Sequence, residues 1–117
     1  MPTIRDVVRA LGRRDGVDAV IVLGHDGLVI DSVTGNGCDQ ESVAAHIPSI
    51  VESCNHLGGD GDRGDFGMAV VEFTRGLAIV VELSSESLLA ILARPGTNVG
   101  DLLYELGRRR AAIARLL

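Results

Sequence analysis

The sequence predicts an α/β domain of the α+β kind: a single five-stranded, mainly antiparallel sheet with helices on both faces. Three observations carry this. Hydrophobic periodicity and turn residues divide the chain in the order α-β-β-α-β-β-β-α. The strand segments are apolar at nearly every position, the pattern of strands covered on both faces. The length is 117 residues, 46% of them hydrophobic and 23% charged. That is enough to bury a core without staples and too little for two ordinary domains. The expectation is therefore one domain over residues 1–117, with no internal repeat, low-complexity tract or linker.

Thr3 is a candidate N-cap, with Asp6 three residues on, and Ile4, Val7, Val8 and Leu11 follow at helical spacing. Gly12 and Gly16 close this first helix. Val17–Leu23 reads as a strand, His25-Asp26-Gly27 as its turn and Leu28–Val33 as the return. Thr34–Asp39 is a Gly-rich connection. Asp39 or Ser42 can cap a second helix, along which Val43, Ile47, Ile50, Val51, Cys54 and Leu57 keep the period. Pro48 predicts a kink there, or a start later than Asp39. Gly58-Gly59 predicts its end, and Gly58–Asp65 an acidic loop. Phe66–Phe73, Leu77–Leu83 and Leu88–Ala93 are three further strands. Arg75-Gly76 is the expected turn of the first pair and Ser84-Ser85-Glu86 of the second. After Pro95, a last helix carries Val99, Leu102, Leu103, Leu106, Ile113, Leu116 and Leu117, with Arg108-Arg109-Arg110 breaking its stripe. One short helix covers a sheet face poorly, so apolar surface is left over for self-association.

Composition narrows the function. The net charge is −5, and all 11 basic residues are arginine. An acidic chain has no general attraction to a phosphate backbone. With one Tyr, two Phe and no Trp, it also lacks stacking platforms for single strands, so no nucleic-acid partner is expected. Mean hydropathy is +0.28, yet the apolar runs are far short of the roughly 20 residues of a span, so no membrane insertion is expected. Cys38 and Cys54 give no secreted disulfide framework, and the charged N-terminus is not a signal peptide. The expected location is cytoplasmic.

No candidate for chemistry assembles. His46, Cys54 and His56 share a helix, but at 100° per residue Cys54 and His56 lie about 80° and about 280° from His46, so they do not converge on a metal. Turn and strand chemistry accounts for His25, Asp26 and Asp31. Asp60, Asp62 and Asp65 resemble a calcium loop, but Val71 stands where the bidentate Glu belongs. Arg63-Gly64-Asp65 matches an adhesion tripeptide that chance explains in so Gly-, Arg- and Asp-rich a stretch. Glu72 and Glu82 point to opposite sides of the sheet if the Arg75-Gly76 turn holds, and cannot then flank one substrate. Cys38 lacks a histidine partner, and there is no phosphate loop or nucleophile elbow. No cofactor, metal or catalytic residue is expected, and the chain reads as a non-enzyme. Exposed arginines, Arg75 at a hairpin tip and Arg94 beside Pro95, have the chemistry to act in trans on a GTPase; solubilising surface charge is the simpler account of both.

The segment Leu88–Leu106, LLAILARPGTNVGDLLYEL, with Pro95, Asn98-x-Gly100 and the Leu102/Leu103/Leu106 stripe, resembles the Roadblock/LC7 family, and its bacterial MglB-like members above all. Asp26-Gly27-Leu28, Arg75-Gly76-Leu77 and the element order fit as well. The resemblance implies the Roadblock/LC7 (profilin-like) fold and a non-enzymatic homodimeric regulator or scaffold of a small Ras-like GTPase. In the family, protomers join through the second helix and the third strand. Carried over, this puts Val43, Ile47, Ile50, Val51 and Cys54 at a helix pair and Met68, Val70 and Glu72 on a pairing edge strand. MglB-like members stimulate GTP hydrolysis by arranging the partner's own catalytic groups, which lowers the weight on Arg75 and Arg94. Two other classes compete. A small-ligand sensor of the PAS or GAF type needs an internal pocket, for which the Ala-, Val- and Leu-filled strands leave no polar anchor. A metal-dependent enzyme needs ligands that the spacing does not bring together.

Overall fold

The computed structural model describes residues 2–35 and 37–117. Met1 lies outside them, as does Asn36 of the Gly-rich connection. Helix α1 spans Ile4–Gly12 and opens on the expected capping box. The Asp6 amide donates to the Thr3 hydroxyl at 3.2 Å, and the Thr3 amide donates back to the Asp6 carboxylate at 2.9 Å. Strands β1 (Val17–Gly24) and β2 (Val29–Thr34) form the first hairpin. Helix α2 spans Gln40–Asp60. Strands β3 (Met68–Phe73), β4 (Gly76–Glu82) and β5 (Ser87–Ala93) follow, and helix α3 spans Gly100–Ala114. Asn98 accepts the Gly100 amide at 3.2 Å, which gives the polar residue before α3 its role.

All four strand pairings are antiparallel, and the sheet order is β2-β1-β5-β4-β3. The long-range β1–β5 pairing puts the two greasiest strands in the middle. One face packs Val20, Val22, Ile79, Val81, Leu89 and Ile91 against Val7, Val8 and Leu11 of α1 and Leu102, Leu106 and Ile113 of α3. The other packs Ile21, Leu23, Val80, Leu88 and Ala90 against Ala44, Ile47 and Val51 of α2. Two-sided cover is thus real for β1, β4 and β5. It fails at the edges: β2 has no fully buried residue, and neither has β3.

Four local expectations are corrected. First, α2 does not start late: Asp39 accepts the Ser42 amide at 3.2 Å and the helix passes through Pro48. Proline takes the donor from the Ala44 carbonyl, and the Gly27 turn closes over that place: a Cβ at Gly27 would lie 3.6 Å from both the Ala44 oxygen and Pro48 Cγ. Second, Gly58-Gly59 does not end α2. The loop instead folds back onto the helix, with the Arg63 and Gly64 amides donating to the Gly58 carbonyl at 2.7 and 3.2 Å. A Cβ at Gly58 would lie 2.2 Å from the Gly64 oxygen. Third, Phe66 is not part of β3 but turns into the α2-side core. Fourth, Thr74-Arg75, not Arg75-Gly76, is the turn, since Phe73 pairs with Gly76. Turn length is kept, so Glu72 and Glu82 still fall on opposite faces, with Leu77 and Leu88 as their neighbours.

Two outcomes check this account. Gly58→Ala should destabilise the fold through the collision with the Gly64 carbonyl. Gly59→Ala, helical and with open space around its Cβ position, should stabilise it by about 0.4–1 kcal/mol; thermal melts of the two variants decide. Asp6 is held below its ordinary value of 3.8, first by the Thr3 amide and then by the Thr3 hydroxyl. A depressed carboxylate contributes stability above that value and loses it as pH falls through the folded-state value. Acid titration should therefore fray α1 below about pH 3.8, and Asp6→Asn should remove that pH dependence.

Candidate protein interface

The two edges of the sheet differ. Along β1–β2 the register runs from Ala19–Thr34 to Val22–Asp31 and then slips, Leu23 facing Val29. The extra residue is Ile30, a bulge in the edge strand, and α1 ties β2 down through the Arg5–Asp31 ion pair at 2.7 Å. A bulged edge is a poor template for another strand. Strand β3 is the reverse: its register to β4 is unbroken from Met68–Val81 to Phe73–Gly76, and its outer edge has no neighbour in the sheet. Lysine, a common edge blocker, is absent from the chain.

The hydrogen-bond phase shows which groups β3 offers. The Glu82 amide donates to the Gly67 carbonyl at 2.9 Å. Alternation along an antiparallel ladder then turns the backbone of Ala69, Val71 and Phe73 inward to β4 and that of Met68, Val70 and Glu72 outward. The side chains of Met68, Val70 and Glu72 share the α1/α3 face, and those of Ala69, Val71 and Phe73 the α2 face. Val70 and Phe73 are exposed at 44% and 59%.

The residues named for the interface thus fall into two groups. Val43, Ile47, Ile50, Val51 and Cys54 lie together on α2, but Ile47 and Val51 are buried against the chain's own sheet, and Val43, Ile50 and Cys54 pack half-buried around them. What α2 presents outward is a different row that includes His46, Ser49, Glu52, Ser53, His56 and Leu57, the last 72% exposed. Met68, Val70 and Glu72 lie on β3, and Met68 packs on the α1/α3 core. Phe73 is a further exposed side chain on this strand, an aromatic one, its side fixed by the Thr74-Arg75 turn.

Several other polar groups are occupied locally. His25 Nε2 lies 3.3 Å from Glu82 and 3.2 Å from the Ser84 carbonyl. Asp26 accepts the Leu28 amide at 3.0 Å, and Asp31 takes Arg5. Arg94 lies 3.4 Å from Asp15, and Arg75 is exposed in its turn. Burial, with Asp39 beside it, raises the Cys38 thiol above its ordinary value, which disfavours the nucleophilic thiolate. Among the described residues no three His, Cys, Asp or Glu side chains gather as a metal site, and no helix is long and apolar enough to cross a membrane. Open surface concavities lie around Arg14–Val17, Arg94–Leu102 and the β3–β4 turn.

Amide exchange reads the edge directly. In the free chain the Val70 and Glu72 amides should exchange fast while Val71 and Phe73 are protected. If β3 pairs with a second strand, protection of Val70 and Glu72 should rise with protein concentration.

The comparisons with known proteins agree with this architecture. The model of the Roadblock/LC7 domain matches residues 3–93. A protein of Methanocaldococcus jannaschii is 28% identical over 106 residues, which cover 91% of this chain and 87% of that protein. Among solved structures, a Roadblock/LC7 domain from Streptomyces avermitilis superposes with a TM-score of 0.85 at 23% identity, covering 97% of each chain. Myxococcus xanthus MglB does so with a TM-score of 0.85 at 16% identity, covering 97% of this chain and 93% of its own. MglC from the same organism is more distant, with a TM-score of 0.57 at 17% identity, covering 87% of this chain and 88% of its own. These structural likenesses are likenesses of fold. The unbroken β3 edge, the split helix cover and the match over residues 3–93 lead to one conclusion: the chain belongs to the Roadblock/LC7 family.

Proposed function

We propose that the chain is a homodimeric, non-enzymatic regulator or scaffold of a small Ras-like GTPase in the cytoplasm. The observation that carries the dimer is the β3 edge: three outward-facing backbone units with no partner, on a strand without bulge or lysine, flanked by exposed Val70 and Phe73. Pairing this edge with a second copy extends the sheet and satisfies both chains at once. The fold likeness to MglB and MglC supports a GTPase-related role.

A surface function suits the rest of the molecule. The space between sheet and helices is filled by aliphatic side chains, so recognition falls to the outer row of α2 and the sheet surface beside Phe73. Arg75 is exposed, but Arg94 already faces Asp15, and activation would proceed by arranging the GTPase's own groups.

Light scattering at micromolar concentration should give twice the chain mass; a strict monomer would overturn the dimer. With a cognate GTPase, added protein should change the rate of GTP hydrolysis or nucleotide exchange, and Arg75→Ala should leave that change within about twofold. Binding without either rate effect would leave the scaffold role alone, and absence of binding would overturn the GTPase assignment.

A further inference from the structure

The charges of this chain are sorted by face. Helices α1 and α3 share one side of the sheet, and α2 takes the other. Residues 4–15 and 98–117, which contain α1 and α3, hold eight arginines and four carboxylates. Residues 39–65, which contain α2 and the loop after it, hold one arginine and six carboxylates. A chain of net charge −5 therefore has one helical layer with a surplus of positive charge. The two layers do not neutralise each other. The molecule measures 37 × 37 × 27 Å, so charges on opposite faces lie further apart than the Debye length, about 8 Å at physiological ionic strength.

Helical geometry decides which of these arginines meet solvent. On α1, Val7, Val8 and Leu11 are buried against the sheet, and Arg9 and Arg13, one turn apart, lie on the far side. On α3, Leu102, Leu106 and Ile113 are buried, and Tyr104, Arg108 and Arg115 form the outer row. Arg14 of the α1 end pairs with Glu105, which also takes Arg109 at 3.0 Å, and this link sets the two helices side by side. Asp6 is turned back into the Thr3 cap. Arg9, Arg13, Arg108 and Arg115 are exposed and take part in none of the ion pairs among the described residues. The Arg108 guanidinium lies 5.6 Å from the centre of the Tyr104 ring, which is itself 68% exposed.

We propose that the α1/α3 face adsorbs onto an anionic lipid surface, with Arg9, Arg13, Arg108 and Arg115 on the headgroups and Tyr104 at headgroup level. Guanidinium groups bind phosphate and carboxylate through paired hydrogen bonds. A tyrosine, apolar in its ring and polar at its tip, fits the boundary between lipid and water. The four arginines are spread over the crowns of two helices instead of converging on one cleft, a layout for a broad surface and not for a narrow peptide. The contact is peripheral: its groups are charged heads, and no helix among the described residues is long and apolar enough to cross a membrane. The carboxylates of the α2 side are repelled by the same surface, which fixes the orientation. Helices α1 and α3 face the lipid, and the outer row of α2 stays open to a protein partner. The face belongs to a single chain, so the proposal does not rest on the dimer; β3 pairing in one continuous sheet would set two such faces on the same side.

Co-sedimentation with lipid vesicles, without any GTPase, tests this. At about 100 mM salt the chain should bind vesicles of about 30% phosphatidylserine in phosphatidylcholine and not vesicles of phosphatidylcholine alone, and about 500 mM salt should release it. Arg108→Ser/Arg115→Ser should weaken binding about tenfold or more, since each arginine near such a surface contributes roughly fivefold. Arg9→Ser/Arg13→Ser alters the other helix and should weaken binding alike, so a folding defect in one variant, seen in its thermal melt, leaves the other to decide. Arg63→Ser, on the α2 side, should leave binding within about twofold. No binding to the phosphatidylserine vesicles, equal binding to neutral ones, or double variants that bind like the parent would overturn the proposal. Tighter binding to duplex DNA or to polyglutamate than to the anionic vesicles at the same salt would also overturn it, and would assign the face to a nucleic acid or to an acidic protein segment. The dimer and the GTPase role are read by light scattering and by the hydrolysis assay, so their failure is distinct from failure here.

Discussion

Everything in this fold follows from the need to cover both faces of three central strands. The middles of β1, β4 and β5 offer no polar side chain to water, so each face requires a helical layer. The chain has three helices for two faces. Helices α1 and α3 share one side and the long α2 takes the other alone, which explains the length of α2 and why it continues through Pro48 and Gly58-Gly59. Full burial is reached in the middle of the sheet and runs out at β3. What remains is a strand whose inner edge is satisfied and whose outer edge is not, beside apolar side chains only half covered.

That residual surface is the part of the sheet left open for a partner. The two cores are built mainly of aliphatic side chains, with Phe66 among them, and His25, Asp26, Asp31 and Asp39 are each engaged in a turn, a cap or a surface ion pair. The asymmetry between the edges gives the surface its direction. On β2, the Ile30 bulge and the Arg5–Asp31 pair discourage strand addition; on β3, the regular register invites it. Self-recognition through one edge only yields a closed two-fold dimer and not an open fibre.

Much of this was legible in the sequence because the signals were local. The Thr3/Asp6 box, the Asp26-Gly27 turn, the capping Asp39 and the Pro95–Gly100 break each fix an element by chemistry within a few residues. What the sequence misplaced depended on distant contacts. Gly58 looks like a helix stop but serves a loop that returns to it, and Phe66 looks like strand but is drawn into the core beneath α2. The Thr74-Arg75 turn differs from the expected Arg75-Gly76 because Gly76 is needed beside β5, where a Cβ would come within 2.5 Å of the Ala93 carbonyl. For the candidate interface, the resemblance puts Ile47 and Val51 at a helix pair, but apolar period cannot tell a face turned to the chain's own sheet, where both are buried, from one turned to a second copy.

The central claim is that β3 offers its outer backbone to another copy while its inner backbone holds the fold. Val70→Pro separates the two, because the Val70 amide points outward and its loss costs no bond to β4. Sedimentation equilibrium, with a thermal melt alongside, measures both. The account predicts a dimeric parent chain and a folded, monomeric Val70→Pro variant. A monomeric parent chain, or a Val70→Pro variant that still sediments as a dimer, would contradict it.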